Sequence, residues 1–307
     1  MTSVYGPMVL ICNAHAGHGG VGKALPKVRA LLEERELDYE VRYTQAAGDA
    51  TTIARTALDQ GFRFLVAVGG DGTVHEVVNG MIEDDKPVRD DAVMGVVAAG
   101  TGSDFIKTFG LPAEMPAHAV AHLDGGEAFP IDIGKIVYTE DGRPTVRYFA
   151  NVAEAGLGAE AVWRAGRLPR WFGPMKYFVA FWLAVRGFKG VNAKADLVDR
   201  TYEGRLNNLV VANGQYFGGG MKIAPRAAPT DGLLDIQIEH ARKREAISLL
   251  PKVYKGEHVP HEDIFEAKRV KLSIETDRPL RIEADGEVLG YTPATFEIIR
   301  DAIRLKV

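Results

Sequence analysis

The chain has 307 residues, enough for two ordinary domains, each with its own core. Its 41 acidic residues outnumber 37 lysines and arginines, and a formal net charge of −4 argues against broad nucleic-acid binding through a basic face. A single cysteine, Cys12, excludes an intrachain disulfide and fits a reducing compartment. The N-terminus has no basic stretch leading into an apolar core, so no signal peptide is expected. The longest apolar run, YFVAFWLAV (177–185), falls far short of the roughly 20 residues of a membrane-spanning helix, and no integral membrane segment is expected.

In chain order, MVLICN (8–13) reads as a strand, 22–36 as an amphipathic helix, YEVRYT (39–44) as a second strand, and 49–61 as a helix closed by Gly61. RFLVAV (63–68) is a third strand, 73–82 a helix, AVMGVVAA (92–99) a fourth strand, and 103–110 a further helical segment. The strands are continuous apolar runs, as a parallel sheet covered on both faces requires. Near residue 126 the rhythm changes. Mostly antiparallel strands are expected at 129–138, 145–153, 193–199, 204–213, 233–239, 269–275 and 279–284, with helices near 171–188 and 242–255. The last residues read as another strand. The fold class predicted is therefore an α/β, Rossmann-like domain (1–126, with a returning tail at about 295–307) followed by a β-rich, sandwich-like domain (127–294). A cleft between two such domains is the usual place for a two-substrate site.

Three strand ends carry glycine turns. GHGGVGKA (17–24) satisfies G-x-G-x-x-G, yet strand two ends in Thr44 and Gln45 where a dinucleotide site wants an acid. It nearly satisfies the P-loop pattern, but Ala24 stands where a magnesium-binding hydroxyl is needed. In GGDGT (69–73), Gly69, Gly70 and Gly72 let main-chain amides approach a phosphate. Thr73 is expected to N-cap the next helix, with Glu76 completing a capping box. Asp71 at the tip suits a magnesium-bound water or a hydroxyl proton. AAGTGSDF (98–105) repeats the design, with Gly100 and Gly102 around Thr101 and a helix starting at Ser103 or Asp104. Adjacent parallel strands aim these loops at one sheet edge, so the three converge on one anion.

NAHAG (13–17), GGDGTVHEVVNG (69–80) and GTGSDF (100–105), in that order, resemble the diacylglycerol kinase catalytic domain, whose family includes bacterial diacylglycerol kinase-like enzymes, sphingosine kinases and ceramide kinases. The resemblance continues through IDIG (131–134), FANVAEAGLGAEA (149–161), NGQYFGGGMKIAP (213–225), TDGLLDI (230–236) and ADGEV (284–288). GGDGT by itself is also similar to phosphofructokinases and NAD kinases. The chain departs from the family at Ala14, usually Pro, at Ser103, often Asn, and at His75, which resembles the sphingosine kinase branch.

The resemblance implies an ATP- and magnesium-dependent kinase acting on a lipid hydroxyl. Diacylglycerol is the first expectation; a sphingoid base or ceramide is the alternative, and an NAD kinase-like enzyme or a non-catalytic nucleotide- or lipid-binding protein lies further off. It places nucleotide contacts at Asn13, Ala16, Gly17, Thr44, Gly69, Gly70, Asp71, Gly72, Thr73, Val74, His75, Glu76, Gly100 and Thr101. The essential carboxylates match Asp71, Asp285 and Glu287; the base is assigned to the Asp285–Glu287 pair, while sphingosine kinase-like sites emphasise the match to Asp71. A structural magnesium is implied at Asp231 with the main-chain oxygens of Ala228 and Leu233. An Asp-Gly turn is the plain alternative at both ADGEV and TDGLLD. Of two histidine clusters, HAVAH (118–122) shows no third metal ligand and HVPHED (258–263) reads as a solvated loop.

Phe178, Phe181, Trp182 and Val185 fall at helical spacing, as for a helix packed inward, with Trp171 and Phe172 left to touch lipid and Arg167, Arg170, Lys176, Arg186 and Lys189 to meet anionic headgroups. The protein is thus expected in the cytoplasm, peripheral to the inner face of the membrane, with no nucleic-acid partner; a homodimer is left open.

Overall fold

The apolar runs become strands that are buried on both faces. β1 (Met8–Cys12) and β3 (Phe64–Gly69) are buried at every position. The computed structural model describes residues 3–13, 20–99, 102–111, 116–125, 127–169, 172, 175–241 and 243–306. These fall into two units, one formed by Met1–Ile133 with Ile299–Val307 and the other by Gly134–Ile298.

In the first unit β1 is followed by α1 (Gly20–Glu34), β2 (Tyr39–Tyr43), α2 (Asp49–Asp59), β3 and α3 (Asp71–Met81). The two-residue strands β4 (Ile82–Glu83) and β5 (Lys86–Pro87) precede β6 (Val93–Ala98), α4 (Asp104–Thr108) and α5 (Pro116–Asp124). β2, β1, β3 and β6 pair in parallel in that order. The helices bury one stripe each. In α2 that stripe is Ala50, Ala54, Ala57 and Leu58, spaced as one helical face. Met8, Leu10, Val66 and Val68 of the sheet meet Val28 and Leu32 of α1 in a single core.

The second unit contains β8 (Arg143–Phe149), β9 (Val152–Gly156), α6 (Leu157–Arg167), α7 (Met175–Gly187), β10 (Val191–Asp196), β11 (Thr201–Leu206) and β12 (Asn208–Ala212). It continues with β13 (Leu234–Glu239), α8 (Lys243–Lys255), β14 (Ile264–Arg269), β15 (Lys271–Thr276) and β16 (Arg281–Ala284). Two strands, β7 (Phe129–Glu140) and β17 (Glu287–Leu305), carry residues of both units. Within the second unit β14, β13, β12, β9 and β16 pair antiparallel in turn. β10 shows the strict buried–exposed alternation of a strand with one wet face.

Four expectations are corrected. The segment 145–153 crosses from β8 into β9, with Ala150 and Asn151 between the two strands. The segment 204–213 is not one strand: β11 and β12 part at Asn207, whose N–H goes to Glu239 O and whose carbonyl accepts the Leu157 N–H. β14 precedes the expected strand at 269–275. A helix, α6, stands at 157–167 where none is expected. Its first turn is possible because residue 158 is glycine: a Cβ there would lie 2.0 Å from Glu154 Oε2.

Candidate active site

In the first unit, the C-terminal ends of four parallel strands form one edge. Gly69 of β3 sits beside Ala98 of β6, and Ala99 N–H bonds Gly69 O at 2.9 Å. Asn13, after β1, donates its N–H to Val68 O at 3.2 Å; Thr44, after β2, donates to Cys12 O at 3.0 Å and is buried. Ala16, Gly17, Gly100 and Thr101 lie outside the described residues. The start of α1 comes so close to this edge that a Cβ on Gly20 would lie 2.4 Å from Ala99 O.

The GGDGT turn differs from the expected capping box. α3 begins at Asp71, with Gly70 as an extended N-cap and no side-chain cap bond. Thr73 is therefore inside the first turn rather than ahead of it; its N–H bonds Gly70 O at 2.9 Å. Glu76 caps a different helix, its carboxylate accepting the Ala50 N–H of α2 at 2.9 Å while Thr51 Oγ1 donates to Glu76 O at 2.8 Å. The glycines also divide their work. A Cβ on Gly69 would strike Thr73 Oγ1 at 2.3 Å, whereas one on Gly72 would meet nothing within 4 Å. The Gly72 amide lies in the first turn of α3, at the positive end of the helix, while the Thr73 and Val74 amides bond Gly70 O.

Asp71 joins this turn to the next. Its Oδ1 accepts the Phe105 N–H at the start of α4 at 3.0 Å. Gly102 is needed for that approach, since a Cβ there would lie 2.8 Å from Asp71 Oδ2. The structure thus brings 69–73 and 102–105 together through a named bond. Val74 and His75 are buried within α3, the His75 ring 3.4 Å from Asn79 Nδ2 one turn on. These residues fit a nucleotide phosphate on two counts: the open cradle at Gly72, and Thr73 Oγ1, buried with no hydrogen-bond partner among the described residues.

The second unit carries the other carboxylates. Asp285 and Gly286 both have positive φ, 49° and 87°, as a two-residue hairpin between β16 and β17 requires. The Asp285 carboxylate accepts the N–H groups of Ala150, Asn151 and Val152 at 2.7, 2.9 and 3.1 Å. Gly286 N–H bonds Glu283 Oε2 at 2.8 Å, so the hairpin is held from both sides. Glu287, half-buried, opens β17.

Asp231 is engaged by the chain itself. Its Oδ1 accepts the Leu233 N–H at 3.0 Å and its Oδ2 meets Lys268 Nζ at 2.8 Å. The same ammonium bonds Arg226 O at 2.8 Å and Asp235 Oδ2 at 3.0 Å, and Ala228 O accepts the amides of Thr230 and Asp231. A magnesium at Asp231 would share its carboxylate with the Lys268 ammonium and meet that charge's repulsion. Among the described residues no group of three or more His, Cys, Asp or Glu side chains is placed to hold a metal ion.

Sequence reasoning missed a buried carboxylate pair. Glu154 of β9 stands opposite Glu283 of β16, each 1% exposed. Glu154 Oε1 accepts Asn208 Nδ2 at 2.9 Å, and Asn208 Oδ1 accepts the Gly158 N–H at 2.9 Å. Burial pushes Glu154 up to about 7; burial and the charge of Glu154 push Glu283 well above the usual carboxylate range. The signal was present as a lone charge inside the apolar run ANVAEAG.

A parallel sheet whose glycine turns offer helix-start amides to an anion, joined in one chain to an antiparallel unit, defines the class: a nucleotide-binding α/β protein with a β-rich partner domain. Residues 7–136 match the diacylglycerol kinase catalytic domain, and residues 151–307 match the YegS C-terminal NAD kinase beta sandwich-like domain. The "Diacylglycerol kinase" of Bacillus subtilis is 27% identical over 94% of this chain and 91% of its own length; that of Mycobacterium tuberculosis is 28% identical over 98% and 94%. A solved diacylglycerol kinase from Bacillus anthracis superposes with TM-score 0.69 at 23% identity over 98% of this chain and 96% of its own, and yeast NADH kinase with TM-score 0.57 at 10% identity over 98% and 83%. The chain belongs to the diacylglycerol kinase catalytic-domain family, a family of lipid kinases.

Proposed function

We propose that this protein transfers the γ-phosphoryl group of ATP to the hydroxyl of a diacylglycerol-like lipid. The observation that carries the reading is the GGDGT turn, where Gly72 leaves open space at the start of α3, the buried Thr73 hydroxyl has no partner among the described residues, and Asp71 ties the turn to Phe105. Phosphoryl transfer asks mainly for positioning and charge neutralisation. Asn13, Ala16, Gly17, Thr44, the 69–76 segment, Gly100 and Thr101 are assigned to the nucleotide. Magnesium bound with ATP supplies charge neutralisation on the transferred group, and Asp71 is the carboxylate on this edge that would face it.

The two carboxylates of the hairpin receive different roles. Asp285 accepts three main-chain amides, which suits it to hold the turn. Glu287 is then assigned to take the proton from the lipid hydroxyl. The enzyme would work at the inner membrane surface without crossing it; no described helix is long and apolar enough to span a bilayer.

The test is phosphate transfer from labelled ATP to diacylglycerol, sphingosine, ceramide and NAD. Diacylglycerol is expected to be labelled. Glu287→Gln is expected to lower kcat by about 10²–10⁴-fold at unchanged melting temperature, whereas Asp285→Asn lowers the melting temperature as well. Labelling of NAD and no lipid, or wild-type turnover in Glu287→Gln, refutes the corresponding assignment.

A further inference from the structure

The second unit holds a cavity of about 280 Å³ that the catalysis above does not use. Its walls come from the first turns of α6, the end of α7, the segment leading into β16, and Tyr291 of β17. Four cationic side chains, Arg164, Lys189, Arg278 and Arg281, line it against one carboxylate, Glu160, a surplus of three positive charges.

Glu160 is divided between two arginines, its Oε1 2.9 Å from Arg164 Nη2 and its Oε2 3.3 Å from Arg281 Nε. Arg164 Nε is buried with no hydrogen-bond partner among the described residues. The Arg281 guanidinium lies 4.2 Å from the centroid of the Trp163 ring and 5.0 Å from that of Tyr291. Stacking of this kind fixes the plane of the fork, so less rotamer freedom remains to be lost when an anion arrives.

Like charges gathered in a recess repel, and an entering anion relieves that repulsion. Guanidinium forks match phosphate and carboxylate geometry, and a surplus of three charges favours a dianion over a single carboxylate. The volume lies just below the roughly 300–1,000 Å³ of pockets that enclose drug-sized ligands, so it suits a compact headgroup rather than a nucleotide. We propose that this cavity binds a phosphate monoester, either free or as the headgroup of a lipid. Arg281 begins the strand that ends at the Asp285 hairpin, so an anion held there also braces the element carrying that turn.

Trp163 reports on the cavity through its stacking with Arg281. The chain has three tryptophans, and Trp171→Phe with Trp182→Phe leaves Trp163 as the only one. This protein is titrated with inorganic phosphate, with glycerol 3-phosphate, and with phosphatidylcholine vesicles with and without phosphatidate. A saturable change in Trp163 emission is expected with a phosphate monoester and not with phosphatidylcholine alone. A response only to phosphatidate vesicles identifies a lipid headgroup; a response to the soluble anions identifies a free ester. Lys189→Gln and Arg278→Gln, each with wild-type circular dichroism, are expected to weaken the response about tenfold. No saturable response to any phosphate, or an unchanged response in the Lys189→Gln, Arg278→Gln double variant, overturns the proposal.

Discussion

Glu154 is a carboxyl group in the middle of a buried strand, and its environment sets its charge. Burial raises its pKa to about 7 from the ordinary 4.5, while the Asn208 amide pulls the other way. Glu283 opposite moves upward too, and the partly buried Glu239 is pushed to about 8 by burial and by the Glu154 charge. A carboxyl whose pKa is raised on folding binds its proton more tightly in the native state. Stability is therefore highest below the unfolded value and falls as pH climbs from about 4.5 to about 7. The melting temperature of the wild type is expected to fall more steeply across that window than that of Glu154→Gln, an isostere with no charge to acquire. Circular dichroism melts at a series of pH values decide it; parallel curves would remove Glu154 from the titration. The lone glutamate in ANVAEAG was visible in the sequence. Its partner was not, because Glu283 reaches it only through the register of β9 on β16. Likewise, Thr73 reads as an N-cap by residue type, but extended Gly70 starts the helix earlier and Glu76 turns to α2 instead.

At the scale of elements, periodicity located α7 but not its orientation. Helical spacing of Phe178, Phe181, Trp182 and Val185 suggested an inward face, yet among the described side chains of α7 the buried ones are Ala180, Ala184 and Val185. Met175, Phe178, Trp182 and Leu183 are exposed, Phe178 by 53%, and the Phe178 and Trp182 rings meet edge to face. Small residues let the helix pack closely on the unit, so the bulky ones are left outside. Trp171 lies outside the described residues, and Phe172 is partly buried. An exposed aromatic face flanked by Lys176, Arg186 and Lys189 has the composition of an interfacial anchor. Phe178→Ser with Trp182→Ser is expected to reduce flotation with anionic liposomes several-fold while leaving the melting temperature within a few degrees. Undiminished flotation would rule out α7 as the contact. α6 escaped the sequence reading for a different reason. Gly156 and Gly158 look like the end of a strand, and the second of them is there to admit the Glu154 carboxylate beneath the helix.

At the scale of the molecule, the α/β and β-rich classes were legible because continuous apolar runs and alternating ones come from different burial geometries. The last residues, expected from the sequence as a tail returning to the first domain, bear on how the first unit is completed. It is built from two stretches, and the second, Ile299–Val307, supplies Arg304 and Leu305 as parallel partners of Val93 and Met94. Lys306 N–H adds a bond to Met94 O, and Asp301 N–H one to Asp132 Oδ1. Ile303 and Leu305 are buried, and each such side chain stabilises by about 1.5–3 kcal/mol. Against a typical domain stability of about 5–15 kcal/mol, losing both, with the strand hydrogen bonds, removes a large share. A chain ending at Ile298 is therefore expected to lose order in the first unit while β9, β12 and β13 keep their pairings. Limited trypsin digestion with mass mapping should show early cleavage within 20–125, and ATP binding should fall with it. Resistance equal to the full chain would mean that the strand order of the first unit holds without its last member.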